Sequence, residues 1–215
     1  MYEYVSSSEY APIRKELEEI IKRTQIEMGK NYGLTFQFQL IGSGRKHLVT
    51  RIIGGNKGFD FDYNLVIPHP GNGYYYKADI IKQYFIDSFK TTLRGTQYSF
   101  PKDSTSAITI KVVDKKNKKI CYGCDFAIIY YGDYDEADGY YYLRNNKKQG
   151  SYQFAFRALN SNIEETVEDI LKYDGWNYVR DEYLKLKNIN EGNRKHSYSL
   201  YIEAVNNVYN QMFLQ

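Results

Sequence analysis

Residues Gly42 to Ile67 read GSGRKHLVTRIIGGNKGFDFDYNLVI, and near the end of the stretch two aspartates, Asp60 and Asp62, flank a single phenylalanine. The segment is rich in β-forming residues, and side chains two apart on a strand share a face. Asp60 and Asp62 therefore project together, while Phe59, Phe61 and Tyr63 point the other way into a core. Two ionised carboxylates held that close repel unless they share a proton or a cation. A divalent ion with oxygen ligands resolves the conflict. Upstream, Gly42-Ser43-Gly44 closes an apolar run, where glycine lets backbone amides and a hydroxyl approach a phosphate closely. RKHLVTRII then reads as a short helical turn, and Gly54 to Gly58 as a flexible loop leading into the aspartate strand.

On the N-terminal side, Leu34, Phe36, Phe38 and Leu40 alternate with Thr35, Gln37 and Gln39, the mark of a strand with one buried face. Before it, Ile13, Leu17, Ile20, Ile21 and Met28 recur at helical spacing. Proline is at home in a first turn, so the pattern predicts a helix from Pro12 to Lys30, ending near Gly33. On the C-terminal side, Ile80, Ile81, Tyr84, Phe85 and Phe89 form the apolar stripe of a helix over Tyr76 to Arg94. STSAITIKVV and KKICYGCDFAIIYY then read as a hairpin around the polar turn DKKNKK. Its second strand carries Asp125 into an otherwise apolar run, which calls for a charge or metal partner.

The acidic loop from Gly132 to Gly139 lacks the twelve-position pattern of a calcium loop and reads as solvated. Gly139 to Leu159 forms two extended segments around a basic turn at Asn145 to Gln149. From Ile163 the texture is helical, with Ser161 or Asn162 as cap and Glu164 and Glu165 suiting the positive helix end.

Hydrophobic residues make up 42% and charged residues 26% of the 215, a globular composition rather than a disordered one. A net charge of +3 is too balanced to demand a nucleic-acid partner. The 24 tyrosines are spread along the chain and read as amphipathic core edge and surface. No apolar run approaches the ~20 residues of a membrane span, and MYEYVSSSEY lacks a basic, apolar leader pattern. The expectation is a soluble cytoplasmic protein without a membrane partner. Cys121 and Cys124 form a C-x-x-C, but zinc would need further ligands, and His47, His69 and His196 are scattered. Two reduced, structural thiols are expected.

The order helix, strand, Gly-Ser, strand with Asp-x-Asp, helix, hairpin with a third aspartate, then helices resembles the nucleotidyltransferases of the DNA polymerase beta superfamily. The likeness is greatest to the branch holding oligoadenylate synthases, cyclic GMP-AMP synthase and bacterial cyclic-oligonucleotide synthases. Gly42-Ser43, Asp60-Phe61-Asp62 and Asp125 carry it, and by motif it covers residues 10 to 131. The resemblance implies an α+β nucleotidyltransferase fold, a mixed β-sheet flanked by helices. A core of residues 1–160 would be followed by a C-terminal helical part, 161–215, that closes the cleft.

The resemblance further implies an enzyme that moves a nucleoside monophosphate from a nucleoside triphosphate, ATP among them, to a hydroxyl, with release of pyrophosphate. Asp60, Asp62 and Asp125 would be catalytic and would hold a pair of Mg²⁺ ions, with Mn²⁺ as a substitute. Asp125 would bind the ion at the acceptor hydroxyl and help to take its proton. Gly42 and Ser43 would cradle the phosphates, with Arg45, Lys46 and Lys57 as charge partners. The acceptor stays open: another nucleotide fits, and a nucleic acid fits without being required. Two alternatives stand beside this reading, a noncatalytic nucleotide or RNA sensor of the same fold and a transferase that modifies an antibiotic, a protein or tRNA.

Overall fold

The computed structural model describes residues 1–71, 73–132, 139–159, 162–190, 192 and 194–214. The body of the acidic loop, 133–138, and the candidate cap Ser161 lie outside the described residues. In chain order the elements are β1 (Tyr2–Tyr4), α1 (Ser7–Tyr32), β2 (Gln37–Ile41), α2 (Gly42–Arg45), β3 (Thr50–Ile52), β4 (Lys57–Val66), α3 (Ala78–Thr92) and β5 (Lys102–Asp103). There follow β6 (Ile108–Asp114), β7 (Lys119–Tyr131), β8 (Gly139–Asn146), β9 (Ser151–Ala158), α4 (Asn162–Lys172), α5 (Trp176–Ile189) and α6 (Ser197–Phe213). Two units result, one of Val5–Val49 with Gly54–Leu159, the other of Met1–Tyr4, Thr50–Ile53 and Asn160–Gln215.

The larger unit is built on a mixed seven-stranded sheet. Its order is β2-β4-β7-β6-β5, with β8 added to β7 and β9 to β8. β4 and β7 run parallel. The other pairs are antiparallel, including the β6–β7 hairpin. Helices α1 and α3 supply Leu17, Ile20, Ile21, Met28, Phe85 and Phe89 to the core under the sheet. Phe89 stacks on Phe126 of β7 at 4.6 Å between ring centroids. Tyr10 meets Phe61 edge-on at 6.1 Å. The fold is thus α+β with a central mixed sheet flanked by helices.

Several local expectations are corrected. Helix α1 begins at Ser7 rather than Pro12, because the Ser6 hydroxyl accepts from the Glu9 amide at 3.3 Å and satisfies an orphan donor of the first turn. Pro12 then sits inside the helix at the cost of one hydrogen bond. The end is as expected: Gly33, at φ +65°, caps the helix through its amide to the Gly29 carbonyl. The helical turn after β2 is Gly42–Arg45 itself. Within RKHLVTRII, Thr50–Ile52 is instead a strand, with β-branched residues at both ends, paired antiparallel with Tyr2–Tyr4. On α3, Ile80 is 37% exposed and Lys82 only 2%, because the Lys82 ammonium finds a carboxylate and a carbonyl inside. Cys121 and Cys124 are free thiols on β7.

In the smaller unit α5 packs against α6, and Val179, Tyr183, Leu186, Leu200, Tyr201, Ala204 and Val205 are buried. Helix α4 begins at Asn162 with Glu164 and Glu165 in its first turn. Lys187 of α5 lies over the rings of Tyr2 at 4.5 Å and Tyr183 at 5.4 Å, and donates to the Thr50 hydroxyl at 2.9 Å. Burial pushes its ammonium down to about 8. Among the described residues no helix is long and apolar enough to cross a membrane.

Candidate active site

Strand β4 alternates as its sequence requires. Phe59, Phe61 and Tyr63 are buried, with Asp60 exposed and Asp62 half-buried on the other face. On β7 the same alternation buries Cys124 and Phe126 and leaves Asp125 between them half-buried. The parallel register pairs Asp62 directly with Asp125, and Asp60 with Gly123. Partners in register project to the same side, so all three aspartates share the face opposite the aromatic core.

Two glycines shape the space around these carboxylates. A Cβ on Gly123 would collide with Asp60 Oδ1, so a side chain there displaces that carboxyl. Strand β2 ends with Ile41 opposite Asp62, so the turn that follows begins at the carboxylates. Its first residue, Gly42, takes φ +61°, and a Cβ there would come within 2.8 Å of Asp62 Oδ2. Ser43 follows on that turn, and its carbonyl accepts from the Leu48 amide at 2.9 Å.

The electrostatics record the crowding. Burial, then the charge of Asp125, then that of Asp60, pushes the Asp62 carboxyl up to about 6. Asp60 is also raised, by loss of water around its carboxyl group first and Asp125 second, and is pulled back by Lys111 and Lys57. The buried Cys124 thiol is pushed up by burial and by all three aspartates. Lys57 therefore reaches Asp60 electrostatically, as its place at the head of β4 allows. Arg45 is exposed at the end of the turn and Lys46 caps it.

Three residues near the carboxylates escape a reading of the sequence alone: Thr109, Lys111 and Gly123. Thr109 and Lys111 alternate with buried Ile108, Ile110 and Val112 on β6. They stand opposite Asp125 and Gly123. The Thr109 hydroxyl donates a short hydrogen bond to Asp125 Oδ1. The available signal was the same period-two alternation that located the aspartates.

Among the described residues no three acidic, histidine or cysteine side chains are gathered closely enough to hold a metal ion unaided. Three carboxylates on one face repel one another, and Mg²⁺ takes much of its shell from water and substrate phosphates rather than from a closed protein cage. The hard oxygen donors present and their mutual destabilisation fit an ion that arrives with a nucleotide.

This sheet, with its Asp-x-Asp strand running parallel to a third-aspartate strand, has the fold of the nucleotidyltransferases. Solved structures bear that out. The Vibrio cholerae DncV cyclic AMP-GMP synthase, described as a prokaryotic cGAS homolog, superposes with a TM-score of 0.62 at 14% identity, over 95% of this chain and 68% of its own. E. coli CdnC with ATP gives 0.53 at 14% identity, over 95% of this chain and 62% of its own. The Bradyrhizobium diazoefficiens CD-NTase CdnG with GTP gives 0.51 at 12% identity, over 75% of this chain and 42% of its own. The chain spans about half the length of several of the synthase structures it matches, 45% of DncV bound to its linear intermediate and 53% of the apo form. No protein-family profile matches the chain and no curated protein sequence does.

Proposed function

We propose that this chain is a metal-dependent nucleotidyltransferase, moving a nucleoside monophosphate from a nucleoside triphosphate to a hydroxyl acceptor with release of pyrophosphate. The observation that carries the proposal is the register of β4 on β7, which sets Asp62 beside Asp125 with Asp60 two residues away on the same face. The fold shared with proteins solved with ATP, GTP or a linear dinucleotide intermediate supports the substrate class.

Asp60 and Asp62 would hold a pair of Mg²⁺ ions together with the triphosphate, and Asp125 would serve the ion on the acceptor side. Bound there, the ions would neutralise the charge that develops on the entering and leaving oxygens. The chain's own residues then have positional tasks. Gly42 and Ser43 offer backbone and hydroxyl to the phosphates beside Asp62. Lys57 and Lys111 offset negative charge at Asp60. Asp125 takes the proton of the acceptor hydroxyl as its oxygen bonds to the α-phosphorus and the bond to the pyrophosphate oxygen breaks.

The test is incubation of the protein with each nucleoside triphosphate and Mg²⁺ or Mn²⁺, with pyrophosphate measured and all soluble products weighed by mass spectrometry. Pyrophosphate release that Asp62→Asn abolishes is the expected result. Nucleotide binding without turnover would replace the proposal with a sensor of the same fold, and neither binding nor turnover would overturn it.

A further inference from the structure

Asp125 is held at one oxygen by the neighbouring strand. Its Oδ1 accepts from the Thr109 hydroxyl directly across the β6–β7 pair, and its Oδ2 accepts no hydrogen bond among the described residues. The Thr109 hydroxyl gives its one proton to Asp125, so the Thr109 oxygen is left to accept from a second donor. That donor is the Ser104 hydroxyl at 3.0 Å. The two hydroxyls form a directed chain ending at the carboxylate.

The segment that carries Ser104 is itself anchored. The Ser104 amide donates to the Ala107 carbonyl at 3.0 Å, and the buried Lys82 ammonium donates to that same carbonyl at 3.1 Å. Lys82 also pairs with Asp103 Oδ1 at 3.0 Å. The other Asp103 oxygen accepts from Asn145 at 2.6 Å and from the Tyr152 hydroxyl at 2.7 Å. Breaking a pair buried this far leaves an uncompensated charge, so the segment is costly to displace.

We propose that Thr109, oriented by Ser104, is a positioning residue that fixes the rotamer of Asp125 and presents Oδ2 to the acceptor-side cation. This rests on the three-aspartate reading above. Hydrogen bonds to a ligating carboxylate set its orientation, and their loss costs about 10- to 100-fold in metal affinity or activity.

The experiment compares Thr109→Val, which keeps the shape and removes the donor, with Thr109→Ser and Ser104→Ala. Free Mn²⁺ is followed by electron paramagnetic resonance in the presence of a non-hydrolysable nucleoside triphosphate, alongside kcat, KM and melting temperature. Thr109→Val is expected to weaken Mn²⁺ binding and lower kcat by about 10- to 100-fold, with KM for the nucleotide and the melting temperature little changed. Thr109→Ser should restore most of both, and Ser104→Ala should show a smaller loss in the same direction. Wild-type Mn²⁺ binding and kcat in Thr109→Val would overturn the inference while leaving the three-aspartate reading intact. Equal impairment of Thr109→Ser and Thr109→Val, with a lowered melting temperature, would reduce Thr109 to a packing role. A wild-type protein that neither binds Mn²⁺ with nucleotide nor releases pyrophosphate would remove the reading and the inference together.

Discussion

On one face of β4 and β7, Phe59, Phe61, Tyr63, Cys124 and Phe126 are at most 4% exposed and meet aromatic rings or aliphatic side chains from α1 and α3. On the other face of the same two strands, Asp60, Asp62 and Asp125 crowd one another and Asp62 is pushed up to about 6. The backbone is shared, so the contrast isolates what side chains do. The aromatic face gains free energy by leaving water. The carboxylate face loses free energy while its aspartates are ionised, and a proton or a bound cation would recover it. A chain under selection for stability alone has no use for the second face, and natural proteins tolerate such conflicts where they serve a site.

The sharpest way to separate the faces is to change one residue on each. Asp62→Asn should lower pyrophosphate release by about 10³-fold or more, several kcal/mol of lost charge stabilisation. The melting temperature of the metal-free variant should hold or rise, because a repelling charge has gone. Phe89→Ala, which empties the space against Phe126, should do the reverse. Urea unfolding should show about 3 kcal/mol of lost stability, with turnover per folded molecule unchanged.

Titration should expose the strain on the carboxylate face. Between the ordinary aspartate value of 3.8 and about 6, native Asp62 keeps a proton that the unfolded chain has lost. Stability of the metal-free protein should therefore fall as pH rises through that window and level off above it. The contribution is up to about 3 kcal/mol, from roughly two units at 1.36 kcal/mol each. Urea midpoints measured in EDTA from pH 4 to 7.5 check this, and Asp62→Asn should flatten the profile. Gly123→Ala should give the smallest of these effects, since its methyl group displaces the Asp60 carboxyl and presses only slightly on the Ile110 carbonyl. Turnover should fall about 10- to 100-fold, in line with the cost of misplacing reacting groups, while the melting temperature moves little.

Much of this architecture was legible because period-two alternation is strong in FDFDYNLVI and CDFAIIYY, and period-3.6 spacing is strong in the helices. Alternation alone puts Asp60 and Asp62 on one face. What it cannot supply is register: nothing local in β6 says that Thr109 rather than Lys111 stands opposite Asp125. Gly123 looked ordinary because its need for a bare α-carbon is created by Asp60 on another strand. β1 and β3 were missed because three-residue strands pairing across more than 40 residues carry no periodic signal. At α1 the sequence displays Pro12 plainly, whereas the capping hydrogen bond of Ser6 becomes evident only once the backbone direction is known. Lys82 escaped the core assignment because its partner, Asp103, comes from a two-residue strand that alternation cannot detect.

In the proposed reaction Asp60, Asp62 and Asp125 jointly bind cations that enter with a nucleoside triphosphate. Anomalous diffraction from crystals of the protein soaked with Mn²⁺ and a non-hydrolysable triphosphate tests it most directly. Manganese peaks are expected within coordination distance of all three carboxylates and of the phosphate oxygens. Manganese bound without Asp125, or nucleotide seated away from Gly42 and Ser43, would contradict it.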